Sequence, residues 1–171
     1  MRIGTWNVRT LKDKDFGFEE NGRLWQVTSE MKRYRLNIMG VSETHWKGQG
    51  DIVNNDMRMV YSGGERCERG VAILFDRETA ERITEIEKIS DRQMVVKVSA
   101  EPVDIVLIQV YMPTTKYEDW DVEQIYEQIE DIIRRQRGDA NVIVMGDFNA
   151  RVGEGSDRKV IGKYGLGKKE R

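Results

Sequence analysis

Short β-branched runs alternate along the chain with two segments whose apolar residues recur at helical spacing. Residues 2–7 form a strand-like run that breaks at Trp6-Asn7, and the charged, glycine-containing residues 11–22 predict a loop. Leu24, Val27, Met31 and Tyr34 then share one face of a helix over 23–34. A second strand over 36–41 ends in Ser42-Glu43-Thr44-His45-Trp46, and the polar residues 47–56 predict a glycine-rich loop. Residues 57–62 and 70–75 read as strands around the turn Gly63-Gly64-Glu65-Arg66, and 83–89 and 94–98 show partial alternation that suits further strands. The β-branched run 103–110 ends at Tyr111-Met112-Pro113-Thr114. Val122, Ile125, Ile129, Ile132 and Ile133 mark a second amphipathic helix, acidic at its start and basic at its end as the helix dipole favours, and closed by Gly138. The last strand, from Val142, stops at Gly146 and is followed by Asp147-Phe148-Asn149-Ala150.

Strands outnumber helices, and each helix joins strands that could be neighbours, so the fold class is α/β with a mixed sheet. Ile3, Val41, Ile73, Leu74, Val106, Ile108, Val142 and Val144 suggest a sheet buried on both faces, of which two helices can cover only one.

Composition narrows the picture. A length of 171 residues fits one domain with a sizeable core. The formal net charge of −2 argues against a protein that coats nucleic acid nonspecifically, though not against a local basic groove. Cys67 is the only cysteine, which rules out an internal disulfide and a cysteine zinc cluster. No apolar run approaches the ~20 residues of a membrane span, and the N-terminus lacks a signal-peptide pattern. These features predict an intracellular protein of the nucleus or cytoplasm, with no membrane partner.

The candidate chemistry lies at strand ends. Asn7, Glu43, Tyr111 and Asp147 with Asn149 each terminate an apolar strand, and sites in α/β sheets form at the carboxyl ends of strands. Two carboxylates, two amides and a phenol are hard-oxygen ligands that suit Mg²⁺ or Mn²⁺ rather than zinc. The chemistry they imply is metal-assisted attack of water on a phosphodiester. Residues 147–149 fit two readings, a phosphate–metal site and an Asx-type turn. His45 shares a strand face with Glu43 if extended, and either contacts substrate or serves structure. Trp46 suits base stacking or a packed loop anchor. Arg151, with Arg158, Lys159, Lys163, Lys168 and Lys169, suits a DNA backbone track or a solvated connector.

Thr5-Trp6-Asn7-Val8, Ser42-Glu43-Thr44, Val110-Tyr111-Met112-Pro113 and Gly146-Asp147-Phe148-Asn149 together resemble, in order and spacing, the endonuclease/exonuclease/phosphatase family of DNase I and the apurinic/apyrimidinic endonucleases. The Trp-Asn-Val-Arg-Thr-Leu opening, the Glu-Met-Lys-Arg helix and Gly-Asp-Phe-Asn-Ala-Arg-Val-Gly resemble one branch. It holds the endonuclease domains of RTE-type non-LTR retrotransposons and craniofacial development protein 2. The resemblance implies a DNase I-like four-layer sandwich of mixed sheets flanked by helices, with Mg²⁺ or Mn²⁺ as cofactor and DNA as substrate. It implies that Glu43 is the principal metal ligand and that Asn7 holds the site near metal or phosphate. Tyr111 would contact the scissile phosphate, Asp147 would orient or deprotonate the attacking water, and Asn149 would hold a phosphate oxygen. His45, Trp46 and Arg151 are the candidate substrate contacts.

The family also carries a further half with another aspartate and a terminal Ser-Asp-His, which these 171 residues do not contain. The expectation is therefore the N-terminal part of such a domain, weakly active alone and self-associating through the face its missing half would cover. Two other functions fit the same motifs: a phosphatase acting on phosphoinositides or nucleotides, and a non-catalytic interaction domain.

Overall fold

The computed structural model describes residues 1–12, 22–54, 56–114, 119–136 and 138–150. In chain order its elements are β1 (Ile3–Asn7), α1 (Arg23–Arg33), β2 (Ile38–Ser42), β3 (Gln49–Val53), β4 (Met57–Ser62), β5 (Val71–Asp76), α2 (Arg77–Ala80), β6 (Ile83–Lys88), β7 (Gln93–Val98), β8 (Asp104–Tyr111), α3 (Asp119–Arg135) and β9 (Ala140–Asp147). The strands form two sheets, one ordered β1-β2-β5-β4-β3 and the other β6-β7-β8-β9.

Each sheet contains one parallel pair joined by a helix. β1 runs parallel to β2 through α1, and β8 runs parallel to β9 through α3; the other pairings are antiparallel. Strand alternation sends one set of side chains inward and the other outward. Ile38, Val60, Ile73 and Phe75 of the first sheet meet Met94, Val96, Leu107 and Met145 of the second, and this layer is the inter-sheet core. Leu24, Val27 and Met31 of α1 pack on Met39, Val41 and Leu74 on the outside of the first sheet. Ile125, Ile129 and Ile132 of α3 pack on Val106, Ile108 and Val110 on the outside of the second. The result is the four-layered α/β sandwich that the resemblance implies.

Three local expectations change. The single sheet with one bare face is replaced by two sheets that cover each other's inner faces. Parity along a strand says that both faces are buried but not by what, and β6, β7 and β8 pair among themselves because consecutive strands meet through short connections. Among the described strands the sheet edges are β1, β3, β6 and β9, each paired with one neighbour. The predicted loop over 47–56 contains β3, an edge strand without an apolar run, held by Arg58, whose guanidinium donates to both carboxylate oxygens of Asp51. The single turn α2 also goes unmarked by periodicity; Asp76 caps it by accepting from the Thr79 N–H at 2.9 Å. Most of the loop predicted over 11–22 lies outside the described residues. Among the described residues no helix is long and apolar enough to cross a membrane.

Candidate active site at the polar end of the inter-sheet core

The inward-facing residues of four strands change character along their length. Ile3 and Asn7 lie on one row of β1, with the exposed Thr5 between them; Ile38, Gly40 and Ser42 alternate on β2; Leu107, Gln109 and Tyr111 on β8; Ile143, Met145 and Asp147 on β9. Apolar at one pole, each series ends in a polar group at the other, and the two parallel pairs bring all four ends together. Glu43 follows Ser42 at once, with φ +60°.

Hydrogen bonds tie the sheets together there. The Asn7 side-chain oxygen accepts from the Arg9 N–H at 2.9 Å, which turns its amide NH₂ toward the carboxylates. That NH₂ donates to Glu43 Oε1 at 2.8 Å and to Asp147 Oδ2 at 2.7 Å. The Tyr111 hydroxyl also donates to Glu43 Oε1, at 3.0 Å. Burial, and then the Glu43 carboxylate, push the Tyr111 phenol up to about 12, so it stays protonated and remains a donor. Behind the ring, the buried Arg92 lies 5.1 Å from the ring centroid and donates from Nη1 to the Tyr111 carbonyl at 3.0 Å.

Of the two readings of residues 147–149, the Asx turn is present, and it leaves the second Asp147 oxygen facing Asn7. The Asn149 N–H donates to Asp147 Oδ1 at 3.0 Å, closing an Asx turn, while Asp147 Oδ2 joins the site. Asn149 uses one amide hydrogen on the Met112 carbonyl at 2.7 Å, pinning the chain after β8. Gly146 has φ +143°, and a Cβ there would come within 1.9 Å of the Val110 carbonyl oxygen, so the residue before Asp147 has to be glycine. Backbone strain gathers here. Arg9, Glu43, His45 and Asn149 all have φ between +46° and +60°, a region that non-glycine residues occupy at a penalty and that clusters at functional sites.

The other expected residues divide. The His45 Nε2 lies 4.0 Å from Glu43 Oε2, with the imidazole 27% exposed, so it borders the site. Trp46 does not: it is 6% exposed, packs edge-on against Tyr61, and donates its indole N–H to the Leu11 carbonyl at 3.0 Å. It is a core anchor, and base stacking is not open to it. Arg151 and the basic residues beyond it lie outside the described residues. A cleft that no motif marks lies on the other side of Asn7. It holds about 620 Å³ and is lined by Trp6, Arg9, Arg23 and Gln26, with Trp6 44% exposed. Two arginines beside a candidate phosphate site were legible as a signal; the exposure of Trp6, at a sheet edge, was not.

The donor set fits a hard divalent cation. Two carboxylates converge on one neutral amide, and Glu43 Oε2 accepts no hydrogen bond among the described residues. No three His, Cys, Asp or Glu side chains among those residues group closely enough to enclose an ion. Magnesium is commonly held by one or two carboxylates, with water and substrate phosphate completing the shell.

A two-sheet sandwich flanked by helices, with carboxylates, amides and a phenol at one end of its core, defines a class of protein. Within it, the chain belongs to the Endonuclease/Exonuclease/phosphatase family, whose pattern it matches over residues 4–164. Craniofacial development protein 2 of Bos taurus is 31% identical over 166 residues, which are 96% of this chain and 27% of that protein. The chain thus spans about a quarter of the curated relatives it matches. Among solved structures it superposes on AP endonuclease LMAP from Leishmania major with a TM-score of 0.66 at 14% identity, covering 86% of this chain and 55% of that one. It superposes on the endonuclease domain of TRAS1, a telomere-specific non-LTR retrotransposon, with a TM-score of 0.57 at 17% identity, covering 86% and 58%. These likenesses establish the fold.

Proposed function

We propose that the protein is a divalent-metal-dependent phosphodiesterase that nicks DNA as an endonuclease. One observation carries the reading: the Asn7 amide joins Glu43 of one sheet to Asp147 of the other, beside the protonated Tyr111. Glu43, through its open Oε2, would hold Mg²⁺ or Mn²⁺, which would supply charge neutralisation at a phosphate oxygen, whereas Asn7, expected near the metal, turns its NH₂ to both carboxylates and holds them in place. Asp147 orients an attacking water and takes its proton. With substrate bound, Tyr111 would turn its single hydroxyl hydrogen from Glu43 Oε1 to the scissile phosphate, and the second amide hydrogen of Asn149 would hold another of its oxygens. The water attacks phosphorus, and the bond to the leaving ester oxygen breaks. DNA is favoured as substrate because Arg9 and Arg23 line the cleft beside Asn7 and Trp6 offers an exposed ring there. A nuclear or cytoplasmic setting, where Cys67 stays a free thiol, suits this substrate. With so few ligands in reach, residues 1–171 alone are expected to turn over slowly.

Supercoiled plasmid and an inositol polyphosphate, incubated in parallel with the protein and Mg²⁺, test the substrate class. Nicked circles without phosphate release are expected. Phosphate release with intact plasmid would assign the site to a phosphatase.

His45→Ala is expected to keep most of the activity, because the imidazole makes no hydrogen bond to the site among the described residues and stands 4.0 Å from Glu43. A loss as large as that of Asp147→Asn, with an unchanged circular dichroism spectrum, would contradict this.

Self-association follows from the edges. β1 and β9 each leave one row of backbone N–H and C=O groups unpaired among the described strands, and such edges template further pairing. Phe148, 37% exposed just beyond β9, and Trp6 on β1 add apolar surface there. Light scattering on residues 1–171 is expected to show dimers or larger species; a stable monomer would show that these edges are satisfied within the chain.

A further inference from the structure

We propose that Gln109 is a positioning residue that sets the spacing between the two halves of the site, an inference that rests on the phosphodiesterase reading. Gln109 lies one strand repeat below Tyr111 on the same inward row of β8 and is fully buried. Its Nε2 crosses the inter-sheet core and donates to Ser42 Oγ at 3.1 Å. Ser42, also fully buried, directly precedes Glu43, and its hydroxyl lies 3.4 Å from the Val110 carbonyl, which it faces as donor. The bridge therefore links the residue before Glu43 with the residues before Tyr111. It lies one layer beneath the hydrogen bond that those two side chains make.

Two further observations show that the layer is built around this amide. Gly40 faces it from β2, and a Cβ at residue 40 would come within 1.9 Å of Gln109 Oε1. Any other residue at position 40 would displace the glutamine. The same Oε1 has no hydrogen-bond partner among the described residues. A buried acceptor left unmatched destabilises a fold, and an apolar side chain of the same length avoids that penalty. Stability therefore gives no reason for an amide here, whereas a directional bond between two sheets does. Packing alone lets two sheets slide by fractions of an ångström, and a misplacement of about 1 Å can lower a rate about 10²-fold. The Ser42–Gln109 bond fixes the offset where Glu43 stands on one sheet and Tyr111 and Asp147 on the other.

The test compares Gln109→Met, Ser42→Ala and the double variant with the wild-type protein. It reads thermal unfolding, Mn²⁺ affinity by electron paramagnetic resonance, and kcat and KM for plasmid nicking. Gln109→Met is expected to unfold at the wild-type temperature or above and to bind Mn²⁺ several-fold more weakly. Its kcat should fall about tenfold or more, the scale of a sub-ångström misplacement, with KM unchanged. The double variant should be no worse than either single one, because both remove the same bond. Should Gln109→Met fold poorly, Ser42→Ala carries the same expectation with a smaller change of volume. Wild-type kcat and Mn²⁺ affinity in folded variants would overturn the proposal. If the wild-type protein cleaves no phosphodiester, the functional reading fails by itself. Mn²⁺ affinity then decides, a weaker value supporting the positioning role and an unchanged one overturning it.

Discussion

Asp147→Asn is expected to lower kcat about 10²–10⁴-fold at saturating metal, the usual worth of a general base. The substitution keeps the shape of the side chain, and its carbonyl oxygen can still accept from the Asn149 N–H, as Asp147 Oδ1 does at 3.0 Å. What it removes is the negative oxygen that Asn7 now holds at 2.7 Å, the only group assigned here to take a proton from water. The new NH₂ then faces the Asn7 NH₂, so a small loss of thermal stability is expected beside the main loss, which should appear in the chemical step with little change in KM. Single-turnover nicking over a metal titration checks this. A normal kcat that merely needs more metal would give Asp147 the role of a ligand.

Glu43→Gln is expected to act the other way, raising the metal concentration for half-maximal activity by at least about tenfold, since even supporting groups around a metal are worth 10–100-fold in affinity. Glu43 Oε1 already accepts from Asn7 and Tyr111, so Oε2 is the oxygen left to meet a cation. Glutamine can keep the first oxygen's bonds but presents an NH₂ in place of the second. Activity should recover in excess metal, and calorimetric binding of Mn²⁺ should weaken in parallel. Unchanged metal affinity would remove Glu43 from the ligand set.

Much of this geometry is legible before folding is considered. The period of two that makes strand ends alternate also places Asn7, Tyr111 and Asp147 at the ends of their rows, so four polar strand ends sufficed to bring these side chains together in one candidate site. Parity cannot report which sheet a strand joins, and so β6, β7 and β8 were not seen to build the second layer. Edge strands hide for a related reason. β3 buries few apolar residues, and its order comes from pairing with β4 through Arg58 and Asp51 rather than from any apolar run. Trp46 shows a further limit: an aromatic after a candidate ligand looks alike whether it faces solvent or Tyr61. Its burial depends on Leu11, distant in sequence, which accepts its indole N–H. Gln109 went unnoticed for the opposite reason, because a polar residue within a β-branched run looks like an exception until Gly40 and Ser42 stand across from it.

The proposed hydrolysis depends on a divalent cation held at Glu43 and on a base at Asp147. The most direct measurement is one plasmid-nicking experiment with three reactions: wild-type protein with Mg²⁺, wild-type protein with Mg²⁺ and excess EDTA, and Asp147→Asn with Mg²⁺. Nicked circles are expected in the first reaction only. Undiminished nicking in EDTA, or by Asp147→Asn, would contradict it.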